Sequence, residues 1–192
     1  ALCFNLTEDR AKTASKLNEL VKNNGNRLQT GFVGTPYLLY ALSENGYAET
    51  AYSLLLQEEY PSWLYEVNHG ATTIWEHWDG IRDDGTFWSS DMNSYNHYAY
   101  GSVVGWLYSV AAGINPDENN AGVKSVIISP TVDKRLGGVK ATLDTPYGRI
   151  KSYWHCEDDV VNYEITTPVN ATIIIDGKKH FVESGVYTFQ SK

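Results

Sequence analysis

The stretch Ile114–Gly122, INPDENNAG, and the run behind it, VKSVIISP (residues 123–130), divide the chain into two kinds of sequence. Before this stretch apolar residues recur every three or four positions, the period of a helix with one buried face. Behind it they alternate, the period of a strand with one buried face. A polar, Pro- and Gly-bearing joint between two periods marks a change of architecture, so two parts are expected, residues 1–115 and 123–192.

Upstream, Ala11, Ala14, Leu17, Leu20 and Val21 fall at helical spacing, with Glu8 and Asp9 at the start and Gly25 past the end. Thr35 and Pro36 read as a cap and a first-turn proline for a helix carrying Leu38, Leu39 and Leu42, which Gly46 closes. Ala48, Ala51, Leu54 and Leu55 define a third helix that stops before Pro61. A fourth is expected over residues 95–112, with His97, Tyr100, Val104, Leu107 and Ala111 along one stripe and Gly113 at its end. Residues 79–94, DGIRDDGTFWSSDMNS, are too polar and turn-rich for a helix, and long loops on a helical scaffold often carry function.

Downstream, SVIIS, VKATLD, GRIKSYW, VVNYEIT, ATIII and VYTF alternate between apolar and polar. Pro130, Gly137-Gly138, Pro146, Asp158-Asp159, Pro168, Asp176-Gly177 and Gly185 separate them. Short strands at this spacing predict an antiparallel β-sandwich. No catalytic grouping stands out in it.

The 192 residues carry a formal net charge of -8, which argues against a nucleic-acid backbone or an anionic membrane as partner. The longest apolar run, GSVVGWLYSVAAGI, falls short of the roughly 20 residues a membrane span needs. Cys3 and Cys156 form neither a disulfide framework nor a zinc site. No phosphate loop, metal-binding His pair or serine-nucleophile elbow is present, and Asp83, Asp84 and Asp91 lack EF-hand spacing. No cofactor and no metal are expected. Aromatics lean towards rings with a polar edge, 14 Tyr and 6 Trp against 5 Phe, and such rings suit stacking on a sugar as well as a core.

One segment fits neither a core nor a solvated surface: ATTIWEHWDG, residues 71–80. Glu76 stands between Trp75 and His77, with Trp78 and Asp79 following. Rings on both sides exclude water from the carboxylate, which suits proton transfer near neutral pH. An equally simple explanation is a half-buried Glu76 paired with Arg82 or His77. His97, at the start of the helix expected over 95–112, is either a satisfied structural histidine or a ligand contact.

Several segments together resemble the bacterial α-L-rhamnosidases of glycoside hydrolase family 78. They are TGFVGTPYLLYALSENGYAETAYSLLLQEEYPSWLYEV, GATTIWEHWDG and MNSYNHYAYGSVVGWLY, in that order. VIISP and TPYGRIKSYW resemble the β-domain that follows the catalytic domain in the same enzymes. The resemblance implies the C-terminal part of an (α/α)6 toroid followed by a small antiparallel β-sandwich. It also implies hydrolysis of terminal α-L-rhamnose with inversion, so the expected partner is a rhamnose-containing oligosaccharide or glycoside. By the same resemblance Glu76 is the general base and His97 contacts the sugar. The composition of the ATTIWEHWDG segment adds Trp75 and Trp78 as rings expected to line a sugar-sized hollow. The family's general acid lies upstream of TGF, in a motif this sequence lacks. The chain is therefore expected to be the C-terminal piece of a larger enzyme, with the missing N-terminal part of the catalytic domain as its partner. A sugar-binding protein without catalysis and another α/α-toroid glycosidase are the alternatives.

Overall fold

In the computed structural model, which describes residues 1–91 and 93–192, the Asp9 carboxylate opens the first helix by accepting the Lys12 N–H at 2.9 Å. That bond satisfies one of the amides a helix start leaves without partners. The helix, α1, spans Arg10–Asn23 and buries Ala14 and Val21. Behind it Gly25 and Asn26 turn the chain in the left-handed region. Helix α2, Thr35–Ser43, begins one residue earlier than expected: Gly34 takes the cap position and Pro36 sits in the first turn. Thr35 is buried, and its hydroxyl donates to the Gly31 carbonyl at 2.9 Å.

Helix α3, Ala48–Leu55, packs on α2 and more lightly on α1. Thr50 donates to the Asn18 side chain at 2.6 Å, tying α3 to α1. Helix α4, Trp63–Asn68, did not stand out in the periodicity, since six residues are too few to show one. Ser62, fully buried, caps it by accepting the Tyr65 N–H at 3.1 Å.

The helix expected over residues 95–112 is shorter and uneven. Ala99–Ser102 form a tight 3-10 turn, Val103–Trp106 a single α turn (α5), and Leu107–Ala111 a wide π turn. Residues 95–98 are not helical, because the His97 N–H is drawn out to the Ile74 carbonyl at 2.8 Å. Gly101 and Gly105 within the run also lower its helical propensity. Met92, inside the loop expected over residues 79–94, lies outside the described residues.

The chain divides into two compact units, Ala1–Val104 and Gly105–Lys192. The second holds eight strands in two four-stranded sheets. They are β1 (Ile114–Pro116), β2 (Ser125–Ile128), β3 (Gly138–Thr145), β4 (Gly148–Glu157), β5 (Val160–Thr167), β6 (Asn170–Ile175), β7 (Lys178–Val182) and β8 (Gly185–Ser191). The first sheet runs β1-β2-β6-β7 and the second β3-β4-β5-β8. All pairs are antiparallel except β2 with β6, where Val126 stands opposite Ala171 and Ile128 opposite Ile173. The parallel pair arises because the chain leaves β2 for the other sheet, builds β3, β4 and β5 there, and returns.

Alternation places Val126 and Ile128 of β2, Ile150 and Trp154 of β4, Val161 and Ile165 of β5, and Ile173 of β6 in one core. The Trp154 indole is 1% exposed and donates to the Ala111 carbonyl at 2.8 Å. Two residues earlier on the same face, the Ser152 hydroxyl donates to the Ala112 carbonyl at 2.6 Å. Ala111 and Ala112 are themselves fully buried at a helical end, where carbonyls lose their helical partners, so β4 supplies the missing donors. Gly113 then turns with φ of +73°, and a Cβ there would stand 2.1 Å from the Pro130 nitrogen. Only glycine fits both demands.

Candidate functional site

Among the described residues, the segment from Ala71 to Asn96 has no helix and one isolated bridge, Ile81 with Phe87. Backbone hydrogen bonds shape it instead. The Glu76 N–H donates to the Ser94 carbonyl at 2.8 Å, and the His97 N–H to the Ile74 carbonyl at 2.8 Å. These two bonds close the base of the 79–94 loop. They also set the backbone carrying Glu76 beside the backbone carrying His97, 21 residues on in sequence.

Glu76 is half-buried. Its Oε2 accepts the Ser94 N–H at 3.1 Å. The two partners that the sequence offered it both go to Asp79. His77 Nδ1 lies 2.5 Å from Asp79 Oδ1, and Arg82 Nε lies 3.8 Å from Asp79 Oδ2. The His77 ring also stacks on Trp88 at 3.7 Å between centroids.

His97 stacks on Phe32, centroids 4.5 Å apart and planes 15° from parallel. Its Nδ1 accepts the Ala99 N–H at 3.4 Å. A cavity of about 490 Å³ opens over this ring, lined by Phe32, Val33, Pro36, His97, Tyr98 and Ser102. That volume admits a sugar ring, with flat apolar walls and the imidazole as the polar contact.

Trp75 and Trp78 lie deeper. They are 3% and 5% exposed. Trp78 stacks on Tyr100 at 3.7 Å and meets Trp63 edge-on at 5.4 Å, while Trp75 meets Tyr95 edge-on at 5.6 Å. The indole of Trp63 donates to the Tyr100 carbonyl at 2.9 Å, so the ring cluster is also hydrogen-bonded.

Two of the loop's acids have close partners: Asp84 accepts from the Thr86 N–H and hydroxyl at 2.9 and 2.6 Å, and Asp83 lies 3.0 Å from Nε2 of His69, at the end of α4. Among the described residues no group of three His, Cys, Asp or Glu side chains is placed to hold a metal ion. Nor, among them, is any helix long and apolar enough to cross a membrane.

The residue that sequence reasoning missed is Glu66. It is 2% exposed on α4, and its Oε2 accepts the Trp75 N–H at 3.2 Å. Burial pushes its carboxyl up to about 8, outweighing the opposite pull of that hydrogen bond. One signal was available: Glu66 lies three residues after Trp63, on the same helical face as a buried indole.

A pH effect follows. The unfolded chain ionises Glu66 near 4.5, the folded chain near 8. Stability from this site is therefore complete below about 4.5 and declines by up to about 1.4 kcal/mol per pH unit as pH rises towards 8. Glu66→Gln removes that decline. The Tm of the variant relative to wild type should climb between pH 5 and 8 and level off above, with Tyr100 the titratable neighbour that feels the charge. A Tm difference that stays flat across this range would show that Glu66 does not titrate there.

A run of helices, a loop whose base joins the Glu76 and His97 segments through backbone hydrogen bonds, and a two-sheet domain after them have the architecture of the end of a six-hairpin glycosidase. Residues 1–111 match the bacterial alpha-L-rhamnosidase 6 hairpin glycosidase domain, and residues 113–182 match the bacterial alpha-L-rhamnosidase C-terminal domain. The chain belongs to the bacterial α-L-rhamnosidase family.

An alpha-L-rhamnosidase of Formosa agariphila is 41% identical over 178 residues, which cover 92% of this chain and 19% of that protein. One of Streptomyces avermitilis is 39% identical over 173 residues, 89% of this chain and 17% of that one. The chain thus spans about a fifth of the length of the curated relatives it matches. Among solved structures, the S. avermitilis alpha-L-rhamnosidase complexed with L-rhamnose superposes with a TM-score of 0.87 at 35% identity, covering 95% of this chain and 20% of that one. The native rhamnosidase of Aspergillus terreus superposes with a TM-score of 0.88 at 34% identity, covering 94% and 21%.

Proposed function

We propose that this chain is the C-terminal end of an inverting α-L-rhamnosidase, in which Glu76 is the general base and His97 a contact to the terminal rhamnose. The observation that carries this reading is the closed loop base. Two backbone hydrogen bonds join the segment that carries the half-buried Glu76 to the segment that leads into His97, whose imidazole lines a sugar-sized cavity. Inversion needs a carboxylate to take a proton from water on one face of the sugar and an acid to protonate the leaving oxygen on the other, about 6.5–9.5 Å away.

In this reading the acid comes from helical hairpins that precede the chain in the complete enzyme. Those hairpins would also cover apolar side chains such as Val33 and Tyr98, 83% and 88% exposed here. Trp75 and Trp78 support the site mainly from behind, as the packed floor under the Glu76 segment, since little of either indole is open to a ligand.

The reading is tested with the complete enzyme and p-nitrophenyl α-L-rhamnoside, following the first-formed sugar by proton NMR. The expected product is the β-anomer of rhamnose, which then mutarotates. First release of the α-anomer would refute inversion, and no release of nitrophenol would refute the activity.

A further inference from the structure

The carboxyl of Glu66 has no place in the chemistry above, yet it is among the most deeply buried polar groups of the chain. Its Oε1 has no hydrogen-bond partner among the described residues. In energetic terms that is a poor choice for a core. An apolar side chain of similar shape would remove the orphaned oxygen, and the one thing it could not do is accept the Trp75 N–H. What the carboxyl contributes must lie in the group it holds.

That group is the backbone immediately before Glu76. The Glu66 carbonyl accepts the Ala71 N–H at 3.0 Å, and the Glu66 carboxyl accepts the Trp75 N–H at 3.2 Å. One residue thus pins both ends of the Ala71–Trp75 segment. It is well anchored for this, because Ser62 caps α4 and Trp63 donates to the Tyr100 carbonyl. From the other side Trp75 packs edge-on against Tyr95, and both rings press on Gly80, where a Cβ would stand a tight 3.2 Å from each. Trp75 is clamped between a polar contact and a ring contact, and Glu76 is the next residue.

We propose that Glu66 is a positioning residue for Glu76: its buried carboxyl fixes the Trp75 amide and thereby the backbone from which the base reaches the attacking water. The proposal rests on the reading of Glu76 as the general base. Loss of the clamp lets that segment drift, and a displacement of about 1 Å can cost on the order of 10²-fold in rate.

The experiment compares Glu66→Met, Glu66→Gln and Glu76→Gln in the complete enzyme. Glu66→Met fills the space without an acceptor, while Glu66→Gln keeps the acceptor for Trp75. The Met variant should lose about 10- to 100-fold in kcat with KM within about threefold, and the Gln variant should keep kcat within about threefold. Amide exchange at Trp75 should quicken in the Met variant and not in the Gln variant.

Wild-type kcat in Glu66→Met, or equal losses in Met and Gln, would overturn the proposal. Should the Met variant fail to fold, Glu66→Asp takes its place. Its carboxyl is one methylene short, so it should lose kcat where Gln does not, and equal rates would again overturn the proposal. If Glu76→Gln itself stays active, the reading of Glu76 as base has failed. If Glu76→Gln is inactive and Glu66→Met is not, only the positioning role has failed.

Discussion

Glu76→Gln, made in the complete enzyme, should lower kcat on aryl rhamnosides by about 10²–10⁴, the usual worth of acid–base catalysis, with KM little changed. The substitution is close to isosteric. The amide oxygen of glutamine can still accept the Ser94 N–H that Glu76 Oε2 accepts at 3.1 Å, so the loop base should stay closed. What disappears is the ability to take a proton from water. An unchanged Tm together with the rate loss would assign the effect to chemistry. A variant that keeps most of its turnover would make Glu76 a structural carboxylate and remove the basis of the proposed mechanism.

The second large effect concerns stability. Trp154→Ala should destabilise the Gly105–Lys192 unit by about 3–5 kcal/mol, the usual cost of emptying a buried tryptophan site. Trp154 is 1% exposed, and the unit's core forms around it. The ring also satisfies the buried Ala111 carbonyl. Trp154→Phe separates the two contributions, since it restores much of the volume and leaves the carbonyl without its donor, at about 1–3 kcal/mol. Calorimetry should show the Ala variant lowered most and the Phe variant between it and wild type. Equal Tm values for Phe and wild type would mean that water replaces the indole N–H.

Much of this was legible in the residues. Alternation in SVIIS, VKATLD, GRIKSYW, VVNYEIT, ATIII and VYTF corresponds to β2, β3, β4, β5, β6 and β8, because each has one face in the core and so must alternate. The strands that escaped notice are β1 and β7, the two edges of their sheet. Ile114–Pro116 is too short to show a period. Lys178 and Lys179 make β7 look like a loop, although charged residues are what a solvent-facing edge strand tolerates. The Asp176-Gly177 turn, both residues at positive φ, was the sign that ATIII had a hairpin partner.

At the site, the Glu76 segment was conspicuous because its composition conflicted with both a core and a surface. Its partners were not. The Glu76 N–H to Ser94 and the His97 N–H to Ile74 bonds are made by backbone atoms, which side-chain identity does not encode, and only the second Glu76–Ser94 bond uses the carboxylate. Glu66 was hidden for a different reason: a glutamate in a six-residue helix looks like any solvent-facing glutamate until the rings around it are placed.

The single parallel pair, β2 with β6, sets a timetable for synthesis. Ile128 leaves the ribosome well before Ile173, its opposite number. At about 5–20 residues per second the nascent β1–β2 hairpin waits several seconds with one open edge of unpaired amides. During that wait β3, β4 and β5 can zip up by local hairpins, so three strands of the second sheet should form before β6 and β7 complete the first, and β8 joins last. A nascent chain stalled before Asn170 would present the β2 edge without its β6 partner, the kind of open edge that chaperones retain and that pairs wrongly with its own copies.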